Sequence, residues 1–233
     1  MATQNLEALS TNPDLVDILR NQQVGPNVYP GVPLEYTNWR DEQRGWQETA
    51  VLFNQSYHMV DLLVEGPDAF KMLNYLGINS FKGFTPGKAK QFVPVTWDGH
   101  VIGDVILCYL DKELFNLIGR PPVANWVQYH GETGKKKDGS KWNVKFERDE
   151  RSASRPNPTA RKTYRYQVQG PNAMKVMTKV LGATPPDLKF FNMTEVTIAG
   201  KKVTALRHGM AGQPGFELFG PSADGQAILD AIY

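Results

Sequence analysis

A chain of 233 residues with 41% hydrophobic and 11% aromatic side chains is long enough to bury a sizeable core, in one large domain or two small ones. Its 26 basic and 24 acidic residues leave a formal charge of +2, too even for the electrostatic footprint of a general nucleic-acid binder, and its single cysteine, Cys108, excludes an intrachain disulfide framework. No run of about eighteen apolar residues offers a membrane span, and the polar first twelve residues lack the basic-then-apolar pattern of a secretory signal, so a cytoplasmic protein with small, specific partners is the expectation.

In chain order, the first regular signal is an extended, partly alternating segment over residues 57–64. It runs into Val64-Glu65-Gly66-Pro67-Asp68-Ala69 and then an apolar helical pattern at Phe70, Leu73 and Leu76. This predicts a strand, a tight turn and a helix, with Pro67 just inside the helix start, where its missing N–H is no loss. Strands over 91–96 and 100–110 flank Trp97-Asp98-Gly99, where Asp-Gly supplies the positive φ of a hairpin, and a third over 113–118 follows Asp111-Lys112. Cys108, inside the apolar run 105–110, reads as a small buried hydrophobe and not as a reactive thiol.

Residues 131–162 are basic and rich in serine and proline, with apolar breaks at Trp142, Val144 and Phe146. They are expected to be a connector or excursion, solvated in the first instance, with charge available to steer an anionic ligand. The earlier pattern then returns: the turn reappears 104 positions later as Val168-Gln169-Gly170-Pro171-Asn172-Ala173, after a strand over 163–168 and before Met174, Val176, Met177 and Val180. Strands over 195–198 and 201–206 flank Ala199-Gly200, and another covers 215–219. Residues 223–233 open an amphipathic helix that stops without a cap, so the natural protein is expected to continue. The whole is an α+β pattern with two related βα-containing halves and largely antiparallel sheets. Residues 1–130 form a first subdomain, 131–162 the basic connector, and 163–233 a second subdomain cut short at its C-terminal end.

The four histidines, His58, His100, His130 and His208, show no HExxH spacing and one cysteine builds no thiolate site, so no metal is expected. Dinucleotide, P-loop and nucleophile-elbow glycine motifs are absent too. Four side chains stand out, three of them in short polar clusters. Arg120, after an apolar strand, is placed to bind a carboxylate bidentately or to close a structural ion pair. His58 can position or protonate a substrate oxygen, or serve as a structural histidine. Glu217, in Phe216-Glu217-Leu218-Phe219, is expected to point away from both aromatics, to solvent or into a cavity. Asp104 lies between strongly apolar flanks and is harder to dismiss as an ordinary surface carboxylate. Taken alone, these residues indicate a pocket-forming α+β protein.

The repeat and these clusters together resemble the aminomethyltransferase family founded on the T-protein of the glycine cleavage system. Arg207-His208-Gly209-Met210-Ala211-Gly212-Gln213-Pro214-Gly215-Phe216-Glu217 matches that family's Arg-x-Gly-x-x-Gly-x-x-Gly-Phe-Glu segment. Within the family the sequence is most similar to bacterial vanillate and 3-O-methylgallate O-demethylases, from about Leu19 to Pro221. Val28-Tyr29-Pro30, Asn38-Trp39-Arg40, Gly99-His100-Val101-Ile102-Gly103-Asp104 and Leu206–Gly212 carry much of that likeness. The resemblance implies a T-protein-like folate-binding fold and transfer of the methoxy methyl of a lignin-derived aromatic acid to N5 of tetrahydrofolate, without metal or flavin. It implies substrate contacts at Tyr29, Gln55, His58 and Arg120, with the arginine on the carboxylate and catalytic roles for His58 and Tyr29. Folate contacts are implied at Glu217 and at Gln167 and Gln169, with Asp104 as a further cofactor-side residue. The family's proton-donating tyrosine lies beyond the matching segment, so this portion is expected to bind more readily than it turns over. The T-protein's Gly-Glu-Asp-Gly-Phe-Glu stands here as Gly212-Gln213-Pro214-Gly215-Phe216-Glu217, and its Asp-x-Ser-x-Met as Asn54-Gln55-Ser56-Tyr57-His58-Met59, which disfavours glycine cleavage. An aminomethyltransferase or S-demethylase on the same fold, and a non-catalytic folate-binding protein, are the competing readings; the oligomeric state is left open.

Overall fold

The computed structural model describes residues 11, 13–20, 36–152, 160–209 and 212–233. In chain order its elements are α1 (Leu15–Arg20), α2 (Trp39–Glu48), β1 (Val51–Asn54), β2 (Val60–Glu65), α3 (Ala69–Leu76), β3 (Lys88–Phe92), β4 (Val105–Asp111), β5 (Leu114–Gly119), α4 (Pro121–Thr133), β6 (Lys145–Asp149), β7 (Thr163–Gln169), α5 (Ala173–Leu181), β8 (Met193–Ile198), β9 (Lys201–Leu206), β10 (Gly215–Pro221) and α6 (Gly225–Ile232). They build two five-stranded sheets, ordered β3-β4-β5-β2-β6 and β1-β7-β10-β9-β8. Every strand pairing is antiparallel. Among the described residues no helix is long and apolar enough to cross a membrane.

Strand alternation sets the layers. One face of the first sheet, with Val60, Leu62, Val64, Phe115 and Leu117, packs on Met72, Leu73 and Leu76 of α3 and Val123, Ala124 and Val127 of α4. One face of the second, with Tyr166, Val168, Phe216 and Leu218, packs on Met177 of α5 and Ile228 of α6. The remaining faces meet each other through Ala89, Cys108 and Ile118 on one side and Leu206 and Phe219 on the other. Helices, sheet, sheet and helices therefore form four layers, each apolar face covered by the next. Cys108 belongs to the middle layer, where burial pushes its thiol up to about 12, so it stays protonated and unreactive.

The repeated turn has one geometry in both copies. Ala69 N donates to Gly66 O at 3.0 Å, and Ala173 N to Gly170 O at 2.9 Å. Pro67 and Pro171 sit at the second position of these turns and precede the helices, which start at Ala69 and Ala173, so the expected place inside the helix is corrected by two residues. Gly66 (φ 140°) and Gly170 (φ 131°) are required twice over. A Cβ would stand 2.4 Å from Asn143 O in one copy and 2.6 Å from Thr49 O in the other.

Those two obstructing carbonyls precede the edge strands, which are exchanged between the sheets. β1 lies just before the first half in sequence yet pairs with β7, and β6 lies just before the second half yet pairs with β2. Sheet membership thus departs from a linear division at residues 130 and 162. The basic segment also contributes structure: α4 runs to Thr133, β6 fills the sheet edge, and Trp142, Val144 and Phe146 pack on the first core. Among its described residues, the hairpin around the Lys135–Lys141 bridge is a solvated charge run. The Ala199-Gly200 hairpin forms with both residues at positive φ (50° and 72°). Around Trp97-Asp98-Gly99 the strands are shorter than expected: pairing stops at Phe92 and Val105, with a single Val95–Val101 bridge beyond, where Pro94 has no N–H to donate.

Candidate functional site

Along β7, alternation turns Tyr164, Tyr166 and Val168 to the helices and Arg165, Gln167 and Gln169 to the other sheet. β10 lies beside it with Glu217 opposite Gln167 and Phe219 opposite Arg165. Glu217 thus shares a face with Phe219 and is turned away from Phe216 alone, which corrects the expected separation from both aromatics. The Arg165 guanidinium lies 4.5 Å from the Phe219 ring centre.

Arg165, Gln167, Gln169 and Glu217 are no more than 2% exposed, and charges so placed must be paired. Arg165 provides the pairing: its NH1 donates to Glu217 Oε1, and its NH2 to Asp61 Oδ1 at 2.9 Å. Arg161 extends the chain, reaching Asp61 Oδ2 at 2.8 Å, Asp149 Oδ2 at 3.1 Å and the Met59 carbonyl at 2.6 Å. At the other end His208 Nδ1 lies 3.2 Å from Glu217 Oε2. A buried line of charge, Glu217–Arg165–Asp61–Arg161–Asp149, therefore crosses from one sheet to the other, with His208 against its Glu217 end. Burial pushes the Glu217 carboxyl upward, but Arg165 and then His208 outweigh it and hold it below its ordinary value.

Gln55 and His58, in the link from β1 to β2, come to the same place. Gln55 Nε2 donates to Gln167 Oε1 at 2.7 Å. Gln167 Nε2 is buried without a hydrogen-bond partner among the described residues. Half-buried His58 titrates below its ordinary value, first through burial and then through the nearby Arg165 and Arg161 charges, so its imidazole is neutral at pH 7.

Next to this group, a cleft of about 570 Å³ opens, walled by Met59, Ile102, Phe190 and Phe191 and carrying Asp104, Arg120 and His208. Arg120 caps the start of α4 and is exposed, with no hydrogen-bond or ion-pair partner for its guanidinium among the described residues. Asp104 is exposed too, accepting from Gln91 Nε2, and so stands at the rim instead of being walled in by its apolar neighbours. The candidate residues thus divide into a buried or half-buried set (Gln167 and Glu217, with Gln55 and His58 beside them) and an exposed cleft set (Asp104, Arg120), with His208 touching both. Tyr29 lies outside the described residues.

Reading single clusters misses Asp61, Arg161 and Arg165, which hold the buried set together. A signal was available in the repeat: Asp61 and Arg165 are also 104 positions apart, each inside a strand, with opposite charge at the same repeat position.

A family model described as the GCVT N-terminal domain matches residues 21–233. A syringate O-demethylase from Sphingobium sp. (strain NBRC 103272 / SYK-6) is 62% identical over 232 residues, which are 100% of this chain and 49% of that protein. An aminomethyltransferase from Listeria monocytogenes serotype 4a (strain HCC23) is 28% identical over 202 residues, 86% of this chain and 51% of that one. Among solved structures, the glycine cleavage system aminomethyltransferase T from Bartonella henselae aligns with a TM-score of 0.64 at 20% identity, covering 82% of this chain and 47% of that chain, a likeness of fold. The chain spans about half the length of the relatives it matches. With the two-sheet fold, the Arg207–Glu217 segment and a family model that accounts for nearly all of it, the chain belongs to the GCVT family of aminomethyltransferase-like proteins through that family's N-terminal domain.

Proposed function

We propose that the full-length protein is a tetrahydrofolate-dependent O-demethylase of methoxylated aromatic acids of the syringate or vanillate kind, and that this chain holds the folate and positions the acid. One observation carries the reading: on neighbouring strands an ionised acceptor, Glu217, stands beside a buried donor without a partner, Gln167 Nε2. The edge of a pterin presents N–H donors next to a carbonyl acceptor, so this pair suits it, and a buried amide left unmatched costs about 1–3 kcal/mol. Likeness to a relative named for demethylation of an aromatic acid supports the substrate class.

Tetrahydrofolate, when bound, supplies its N5 as the nucleophile for the methyl carbon. The residues of this chain provide position. Arg120, a free fork of donors beside apolar walls, takes the substrate carboxylate and leaves the ring against Met59 and Ile102. Gln55, His58 and Tyr29 attend the ring oxygens. Because burial and two arginines keep His58 neutral, it aids the ether oxygen through an N–H hydrogen bond that strengthens as negative charge gathers there, and not by giving up a proton as imidazolium. We assign Asp104, at the rim of the same cleft, to the cofactor.

The test is to incubate the full-length protein with tetrahydrofolate and syringate, vanillate or 3-O-methylgallate, following catechol and 5-methyltetrahydrofolate by chromatography. Equimolar formation of both products is expected, with kcat/KM falling about 100-fold in Arg120→Ala, the loss of a bidentate charged contact. Turnover only of glycine-derived aminomethyl donors overturns the reading.

A further inference from the structure

His208 faces the cleft yet has no part in the chemistry described so far. Its ring is firmly placed. Nδ1 lies 3.2 Å from Glu217 Oε2, and the ring centre is 5.4 Å from that of Phe191 and 6.0 Å from that of Phe190. The supporting backbone is fixed as well: Phe191 N donates to Arg207 O at 2.8 Å, Arg207 N to Asn192 O at 2.9 Å, and Ala89 N to Phe191 O at 2.6 Å. These bonds hold Phe191 at φ 61°, a left-handed conformation that costs a phenylalanine roughly 1–2 kcal/mol. The fold thus sustains local strain at the wall against which His208 lies.

Glu217 is buried and ionised, so it only accepts hydrogen bonds. The proton between it and His208 therefore belongs to Nδ1. An imidazole fixed in that tautomer carries its lone pair on Nε2, on the side of the ring away from Glu217, while the ring itself lines the cleft. This is the arrangement by which a carboxylate orients a histidine to act as a base. The charged groups near it are Glu217, with Arg165 behind, and Arg120 and Asp104, which line the same cleft.

We propose that Glu217 and His208 form a carboxylate–imidazole pair whose Nε2 accepts the proton released in methyl transfer; the proposal rests on the demethylase reading. The bond that breaks is methyl C–O, with its electron pair left on the aryl oxygen, and the bond that forms is methyl C–N5, from the amine lone pair. His208 Nε2 takes the proton that the amine sheds and passes it to water, and water protonates the aryl oxide.

Two measurements on the full-length protein test this. Nitrogen NMR of 15N-histidine protein, with the His208 signals assigned by their loss in His208→Asn, should show the Nδ1–H tautomer; the Nε2–H tautomer overturns the proposal. The asparagine amide can still donate to Glu217 from the Nδ1 position but offers no base. His208→Asn should therefore keep the tetrahydrofolate dissociation constant, measured by calorimetry, within about threefold while kcat falls about 100-fold. Retained kcat in His208→Asn makes His208 a support for Glu217 and overturns its role as base while leaving demethylation intact. Wild-type protein that demethylates no methoxybenzoate brings down both readings.

Discussion

The two halves use one backbone plan for unlike inner faces. Strand register equates Asp61 with Arg165, Leu63 with Gln167, Asn116 with Glu217 and Ile118 with Phe219. In the first half these positions are half apolar, and Asn116 donates to Asp61 at 2.8 Å. In the second half they carry the amide and the carboxylate of the candidate site. The first pair of equivalents is itself an ion pair, Arg165 to Asp61 at 2.9 Å across the middle layer. One half has become the site and the other its counter-charge and apolar support, so position in a repeat does not determine role.

Removing each member of the ion pair in turn tests this asymmetry most strongly. Arg165→Met leaves the Glu217 and Asp61 carboxylates buried with one cation fewer, and should cost about 3–5 kcal/mol in urea unfolding. Asp61→Asn should cost less, about 1–3 kcal/mol, because Arg165 keeps Glu217 and Arg161 keeps Asp149. Equal losses would mean that the halves share the charge symmetrically, against the asymmetric support described above.

The common backbone plan predicts equal, smaller effects. Gly66→Ala and Gly170→Ala each force a Cβ to within 2.4 and 2.6 Å of a carbonyl oxygen at positive φ, and each should cost roughly 2 kcal/mol. A loss confined to one variant would show that only one exchanged edge strand bears on stability. Gln167→Leu then makes the second half copy the first at a single position. Tetrahydrofolate affinity should fall about tenfold, or about 1.4 kcal/mol, with unfolding stability changed by less than about 1 kcal/mol. Lost stability with unchanged affinity, by calorimetry, would make Gln167 a structural residue like Leu63.

What was legible in the sequence follows the same division. The repeated turn, its glycines and the Ala199-Gly200 hairpin are local features, set by φ and by alternation within a few residues, and they were placed to within two residues. β1 and β6 were not: each is short, and each pairs with the half it does not precede, which no local pattern reports. No helix was expected over 121–133, where Pro121 and Pro122 occupy the first turn, a place in which their missing N–H is harmless. Glu217, Gln55, His58 and Gln167 were legible one by one, through family likeness. Arg165 and Asp61 were not, because a buried ion pair looks like two ordinary strand charges until the sheets are stacked.

The turns also differ at Asp68 and Asn172, and the effect should be the smallest. Neither side chain caps its own helix, but Asp68 Oδ2 accepts from Asn143 N at 2.8 Å and from Lys136 Nζ at 2.9 Å. The Asn143 N–H first, and then Lys136, hold the Asp68 carboxyl below the usual carboxylate range. A depressed folded-state value stabilises above the unfolded pKa, of about 4, and the contribution is lost as pH falls through the lower folded value. Asp68→Asn, which copies the second turn into the first, should therefore cost under about 1 kcal/mol at pH 7. That difference from wild type should shrink as the pH falls below about 4, read from urea midpoints across an acid series. If the gap persists undiminished at the acid end, the Asp68 contacts act through shape alone, and the two turns differ in packing and not in charge.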